Sequence, residues 1–185
     1  MLIKEAQVPF LARKISIDLL NSGYVTFPNN IENATKEIEE IIADDVAWER
    51  EIEDKAREIL ANQEEENEFL FYDVDRREVF KLIKSKIAEE EGFNLKRDER
   101  VDDLAHFLVK ELWDKELIDY DVRDGKIKNV IYKSVMEFLH REVEARDAVY
   151  KKIENYKRPL VPGSEEFELV FQRLYEQELR KRGLI

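Results

Sequence analysis

Residues 30–62 read NIENATKEIEEIIADDVAWEREIEDKAREILAN, and residues 124–156 read DGKIKNVIYKSVMEFLHREVEARDAVYKKIENY. Neither stretch contains proline, and the single glycine, Gly125, stands at a start. Apolar residues recur at helical spacing: Ile38, Ile42 and Val46, then Ile52, Ala56 and Ile59. In the later stretch they are Ile127, Val130, Ile131, Val135 and Phe138, then Val143, Tyr150 and Ile153. Charged residues fill the positions between. Each stretch predicts one amphipathic helix of about 50 Å, at 1.5 Å per residue. Asn29 or Asn30 is the expected cap of the first, and Asp124 that of the second. Two such helices make the spine of a mainly α fold.

Outward from them, the chain reads as a tandem repeat. With an offset of 93, Leu11-Ala12 falls on Leu104-Ala105, Leu19 on Leu112, Val25 on Ile118, and Phe27 on Tyr120. With an offset of 91, Arg50-Glu51-Ile52-Glu53 falls on Arg141-Glu142-Val143-Glu144, Val79-Phe80 on Val170-Phe171, and Gly92 on Gly183. Each half opens with a helix: Leu11, Ile15 and Leu19 in one, Leu104, Leu108 and Leu112 in the other. Pro9 suits a first helical turn and Gly23 a left-handed end. Short strands are expected at Tyr24-Val25-Thr26-Phe27 and Leu117-Ile118-Asp119-Tyr120, which are β-branched and aromatic. The long helices follow. After them come connectors, Glu64-Glu65-Glu66 with Phe69-Leu70-Phe71-Tyr72, and Arg158-Pro159-Leu160-Val161-Pro162-Gly163. Closing helices start at Asp73 or Asp75 and at Ser164, and end at Gly92 and Gly183.

The expected units are 1–93 and 94–185. Either alone would have a thin core, so they are expected to share one. A lone strand leaves backbone groups unpaired, so the two strands are expected to pair. The expectation is a mainly α fold with minor β. It consists of two helix–strand–long helix–helix repeats in an elongated, pseudo-two-fold arrangement.

Composition narrows the function classes. Among 185 residues there is no Cys, so neither a disulfide nor a thiolate nucleophile or ligand is available. The N-terminal residues Met1-Leu2-Ile3-Lys4-Glu5 begin no apolar run, which reads as neither leader nor membrane span, and a cytoplasmic protein is expected. Charged residues make up 40%, in the Glu- and Lys-rich style of thermophile surfaces. Residues 1–93 carry 12 Lys and Arg against 23 Asp and Glu, and residues 94–185 carry 19 against 20. The excess acid lies between Asn30 and Leu70, and such a surface repels phosphate backbones.

Several segments resemble one bacterial family: Val8-Pro9-Phe10-Leu11-Ala12-Arg13-Lys14, Leu19-Leu20-Asn21-Ser22-Gly23-Tyr24-Val25, Ile87-Ala88-Glu89-Glu90-Glu91-Gly92-Phe93 and Phe171-Gln172-Arg173-Leu174-Tyr175-Glu176. That family is known only as domain-of-unknown-function 507. The resemblance implies a cytosolic bacterial protein built of small helical units, here duplicated. It implies no activity, and it transfers no functional residue.

No catalytic, cofactor or metal site is expected. Asp103-x-x-His106 with Glu137-x-x-His140 has the di-iron bundle spacing, but a helical wheel turns Asp103, His106 and His140 away from the apolar stripes and leaves Glu137 at a flank. A solvated pair of histidines explains them better. Paired carboxylates are too common here to single out an acid or base. The junctions near Asn21 and Trp113 resemble the helix-to-wing joint of winged-helix domains, yet the preceding helices are not basic. Trp113 continues an apolar run and is expected in the core. Trp48, among acids, is the candidate contact in a protein interface. Lys151, Lys152, Lys157 and Arg158, near Tyr150 and Tyr156, form a basic cluster that could meet RNA. The plain alternative is end-of-helix cations facing the dipole. The favoured function is a non-enzymatic protein-interaction or scaffolding role, for a monomer or homodimer with an unknown protein partner and no membrane. Nucleic-acid association comes second, and a metal-dependent enzyme third.

Overall fold

The computed structural model describes residues 2–66, 75–156 and 159–185. A turn of 3-10 helix at Glu5–Gln7 leads into α1 (Val8–Asn21), followed by α2 (Ile31–Glu66), α3 (Arg76–Glu91), α4 (Arg97–Asp114), α5 (Asp124–Glu154) and α6 (Glu165–Lys181). The helix ends follow from local chemistry. Asn30 sits at φ 74° and its side-chain oxygen accepts from the Asn33 amide at 2.9 Å, which caps α2. Asp75 and Ser164 cap α3 and α6 in the same way, accepting from Arg77 and Phe167. Asp124 is not a cap. It is the first residue of α5, and the capping position belongs to Arg123, whose side chain makes no capping bond.

Gly92 and Gly183 end α3 and α6 at φ 73° and 67°. Beyond each, the next amide turns back to bond a carbonyl five residues earlier: Phe93 to Ala88 at 2.7 Å and Leu184 to Leu179 at 3.0 Å. Phe93 and Leu184 are buried, so each turn also seals a hydrophobic contact.

α2 and α5, about 54 and 47 Å long, are the axes of the packing. α2 lies against α1, α3 and α4, while α5 lies against α1, α4 and α6. One apolar core runs through both halves of the chain. It includes Leu11, Ile15 and Leu19 of α1, Ile38, Ile42 and Val46 of α2, Leu108 and Leu112 of α4, and Ile131, Val135 and Phe138 of α5. A smaller cluster of Ile52, Ala56, Ile87, Ala88 and Phe93 joins the later part of α2 to α3. The stripe on the long helices departs from the expected one at two places. Ile59 and Tyr150 are exposed, and Val149 is buried beside Tyr150.

The mixed fold expected from the sequence is wrong: the protein is all-α, with no strand among the described residues. Where strands were expected at 24–27 and 117–120, one antiparallel bridge joins Thr26 to Asp119, with two backbone hydrogen bonds of 2.9 Å. A ladder would grow from this pair through residues 28 and 117 on one side and 24 and 121 on the other. Pro28 has no N–H to give. The Leu117 amide is taken by the Leu112 carbonyl and the Tyr24 amide by the Ser22 hydroxyl, both as parts of helix ends. The β-branched residues Val25 and Ile118 serve the core instead, where both are buried. Trp113 is a further correction. It is exposed on α4, with its ring 4.6 Å from that of Tyr120.

Candidate functional site

Ile41, Asp44, Asp45 and Trp48 lie on one face of α2 at helical spacing. Against them α4 places Asp103, Leu104 and Phe107, and together these seven line a hollow of about 340 Å³. Ile41 and Leu104 are buried, whereas Trp48 and Phe107 are 40% and 49% exposed. Asp44 and Asp103 stand on the rim without an ion-pair partner among the described residues, although Asp103 accepts weakly from Asn94 at 3.4 Å. The hollow is thus apolar inside and negative at its edge.

Trp48 is held in place. Its indole N–H donates to Glu91 at 2.9 Å, and its ring meets Phe93 edge-on with centroids 5.0 Å apart. Glu91 also accepts from Lys55 at 2.6 Å. These bonds from Lys55 and Trp48 hold the Glu91 carboxyl below the usual carboxylate range.

Behind the groove lies a buried ionic network. Arg100 enters from α4 and is 4% exposed. It donates to Asp45 through Nε at 3.1 Å and Nη2 at 2.5 Å, and to Glu49 through Nη1 at 2.6 Å. Its guanidinium also lies 4.5 Å from the centre of the Phe93 ring. Glu49, 3% exposed, accepts as well from Lys84 at 2.9 Å and from the Leu2 amide at 3.0 Å. Lys84 goes on to Glu53 at 2.8 Å. Burial alone would push the Glu49 carboxyl up, but Arg100, Lys84 and the Leu2 amide hold it far below the ordinary range. The network ties α2, α3, α4 and the N-terminal segment together. Sequence reasoning missed it, though two signals were present. Asp45, Glu49 and Glu53 recur every fourth residue, and Arg100 is in register with the apolar Leu104 and Leu108.

Among the described residues, Trp48 and the two lysines singled out from sequence lie on different helices. Trp48 belongs to the α2–α4 groove, and Lys151 and Lys152 lie near the end of α5. Lys157 and Arg158 are outside the described residues. Lys152 is already engaged, donating to Glu178 at 2.7 Å, and Glu178 also accepts from Arg182 at 3.0 Å. Lys151 is exposed.

Asp103, His106, Glu137 and His140 all face solvent, and Glu137 accepts from Lys14 at 3.0 Å. Among the described residues no group of three or more His, Asp or Glu could hold a metal ion. Nor, among them, is any helix long and apolar enough to cross a membrane. The hairpin wing of a winged helix is likewise missing at the Thr26–Asp119 bridge. No curated protein matches the chain. A family described as "Protein of unknown function (DUF507)" matches residues 1–184, and the chain therefore belongs to that family.

Proposed function

We propose that the protein is a non-enzymatic interaction module whose α2–α4 groove receives a basic partner segment carrying one large apolar side chain. The observation that carries this reading is the groove itself, where two exposed aromatics flank an apolar floor and unpaired carboxylates stand at the rim. An aromatic held by its own hydrogen bond loses little freedom on binding, and such residues dominate interface energetics. Asp44 and Asp103 would pair with Lys or Arg on either side of the inserted residue. The surrounding acidic half would speed the encounter at low salt. Cytoplasmic placement belongs to the same reading.

The halves 1–93 and 94–185 are part of this proposal as two copies of one helical unit. In support, each contains a short, a long and a short helix and closes on a left-handed glycine. α1 also packs on α5 as α4 packs on α2.

Selection of short random peptides on the immobilised protein tests the groove. Binders should be rich in Lys and Arg around a Leu, Ile or Phe. Phe107→Ala, or Asp44→Asn with Asp103→Asn, should weaken them about tenfold or more. Acidic binders, or basic ones indifferent to these changes, would defeat the proposal.

A further inference from the structure

A second concavity, independent of the groove, opens where the N-terminal turn meets α5 and α6. Its volume is about 660 Å³, well within the range of small-molecule sites. Lys4 and Gln7 line it from the N-terminal turn, Tyr150 from α5, and Phe171, Tyr175 and Arg180 from α6. The α6 aromatics stand one turn apart. Phe171 lies 5.7 Å from Tyr175, nearly parallel at 21°, and 4.9 Å from Tyr150 of α5. Tyr150 is 45% exposed, so the aromatic wall has an open face.

Gln7 supplies the second, separate observation. It is 2% exposed, and its Oε1 accepts from the Lys4 amide at 3.0 Å, which fixes which end of the amide points where. Its Nε2 then has no acceptor among the described residues. A buried donor left unpaired is costly and uncommon, and a turn of the Gln7 side chain into the cavity that it lines would bring this one to an acceptor from outside. Charge at the mouth is mixed. Arg180 and Lys4, with Lys4 set 4.6 Å over the Tyr175 ring, stand with Arg146 against Glu168 and Glu176.

A flat ring that stacks on tyrosine, offers acceptors to an amide and donors to carboxylates, and carries an anion for the cations satisfies every part of this wall. We propose that the cavity binds a nucleotide, with its base stacked along Tyr150 and Phe171, its ring acceptors toward Gln7, and its phosphate toward Arg180. The nucleotide could be free or part of a single strand, since the base and phosphate chemistry is shared.

Calorimetric titration of the full chain with adenosine 5′-monophosphate, inorganic phosphate and a short oligoadenylate tests this. The monophosphate should bind and inorganic phosphate should not. Tyr150→Ala should weaken binding about tenfold or more, the usual effect of losing one stacking partner. Tyr150 is exposed, so that variant should fold, and circular dichroism would check both proteins. Gln7→Leu should weaken binding too. Similar affinity for monophosphate and oligonucleotide would identify the free nucleotide as the source, and a much tighter oligonucleotide would identify the single strand. No binding of either, equal binding of inorganic phosphate, or affinity undiminished in either variant would overturn the proposal.

Discussion

Replacing Arg100 by methionine should destabilise the protein more than most single changes to its surface. The side chain of methionine fills much of the same space, so the effect isolates the charge. Asp45 is partly exposed and can turn toward water, but Glu49 cannot, since its side chain is 4% exposed. It would keep Lys84 and the Leu2 amide and lose Arg100, its closest partner among the described residues. Removing one member of a buried ion pair costs about 3–5 kcal/mol, and the remaining partners place this case near the lower end, at about 3 kcal/mol. For a chain of this size that is a fall in melting temperature of about 10 °C.

The pH dependence gives a second reading of the same physics. The Glu49 carboxyl titrates far below its ordinary 4.5 in the folded protein. Its contribution is therefore present above that value and lost as pH falls through the folded one. Without Arg100 the folded value rises toward the unfolded one. The gap between the two proteins should thus be widest above about pH 5 and shrink toward about pH 3. Urea denaturation followed by circular dichroism, at neutral and acid pH, measures both. A loss under about 1 kcal/mol at neutrality, or a gap that does not narrow in acid, would refute the reasoning. Adding Asp45→Leu and Glu49→Met to the Arg100 change should restore only part of the stability, because the apolar set removes the desolvation cost of the ions but leaves Lys84 with Glu53 alone and the Leu2 amide without its acceptor.

Gly92→Ala should lower stability by about 1 kcal/mol in a thermal melt. The added methyl meets nothing within 4 Å, so the whole cost is the left-handed backbone at φ 73°. Lys152→Ala should cost about 1–2 kcal/mol, because the buried Glu178 loses the bond that most lowers its carboxyl. Lys151→Ala, one residue earlier and exposed, should stay within about 0.5 kcal/mol. Equal effects of the two lysines in chemical denaturation would contradict the assigned pairing.

The features that could be read in advance are those whose causes lie within a few residues of each other. Pro9 at the start of α1, the caps Asn30, Asp75 and Ser164, and the stops Gly92 and Gly183 act over a single turn. The stripes of α2 and α5 follow from helical geometry alone. Failures arose where a distant group decided the outcome. Tyr24-Val25-Thr26-Phe27 has strand-like residues, but its ladder stops because Leu117 and Tyr24 spend their amides on helix ends and Pro28 has none. Tyr150 and Val149 are adjacent apolar residues, and only the position of α6 shows which is covered and which faces a cavity.

The chain's own sequence determined that it is mainly helical, several of its helix caps and stops, and most of the apolar face of each long helix, because hydrogen bonding and side-chain periodicity act locally. It did not show that α2 runs on through Glu66 or that Asp124 lies inside α5. Trp48 could be marked from sequence as a residue out of place among acids. Its anchoring by Glu91 and Phe93, the groove it shares with Phe107, the matching of Arg100 to Asp45 and Glu49, and the burial of the Gln7 Nε2 without an acceptor among the described residues all depend on how the helices approach one another. Interactions between residues 40 or more positions apart leave no local pattern, since a helix records which side is apolar but not what comes to rest against it.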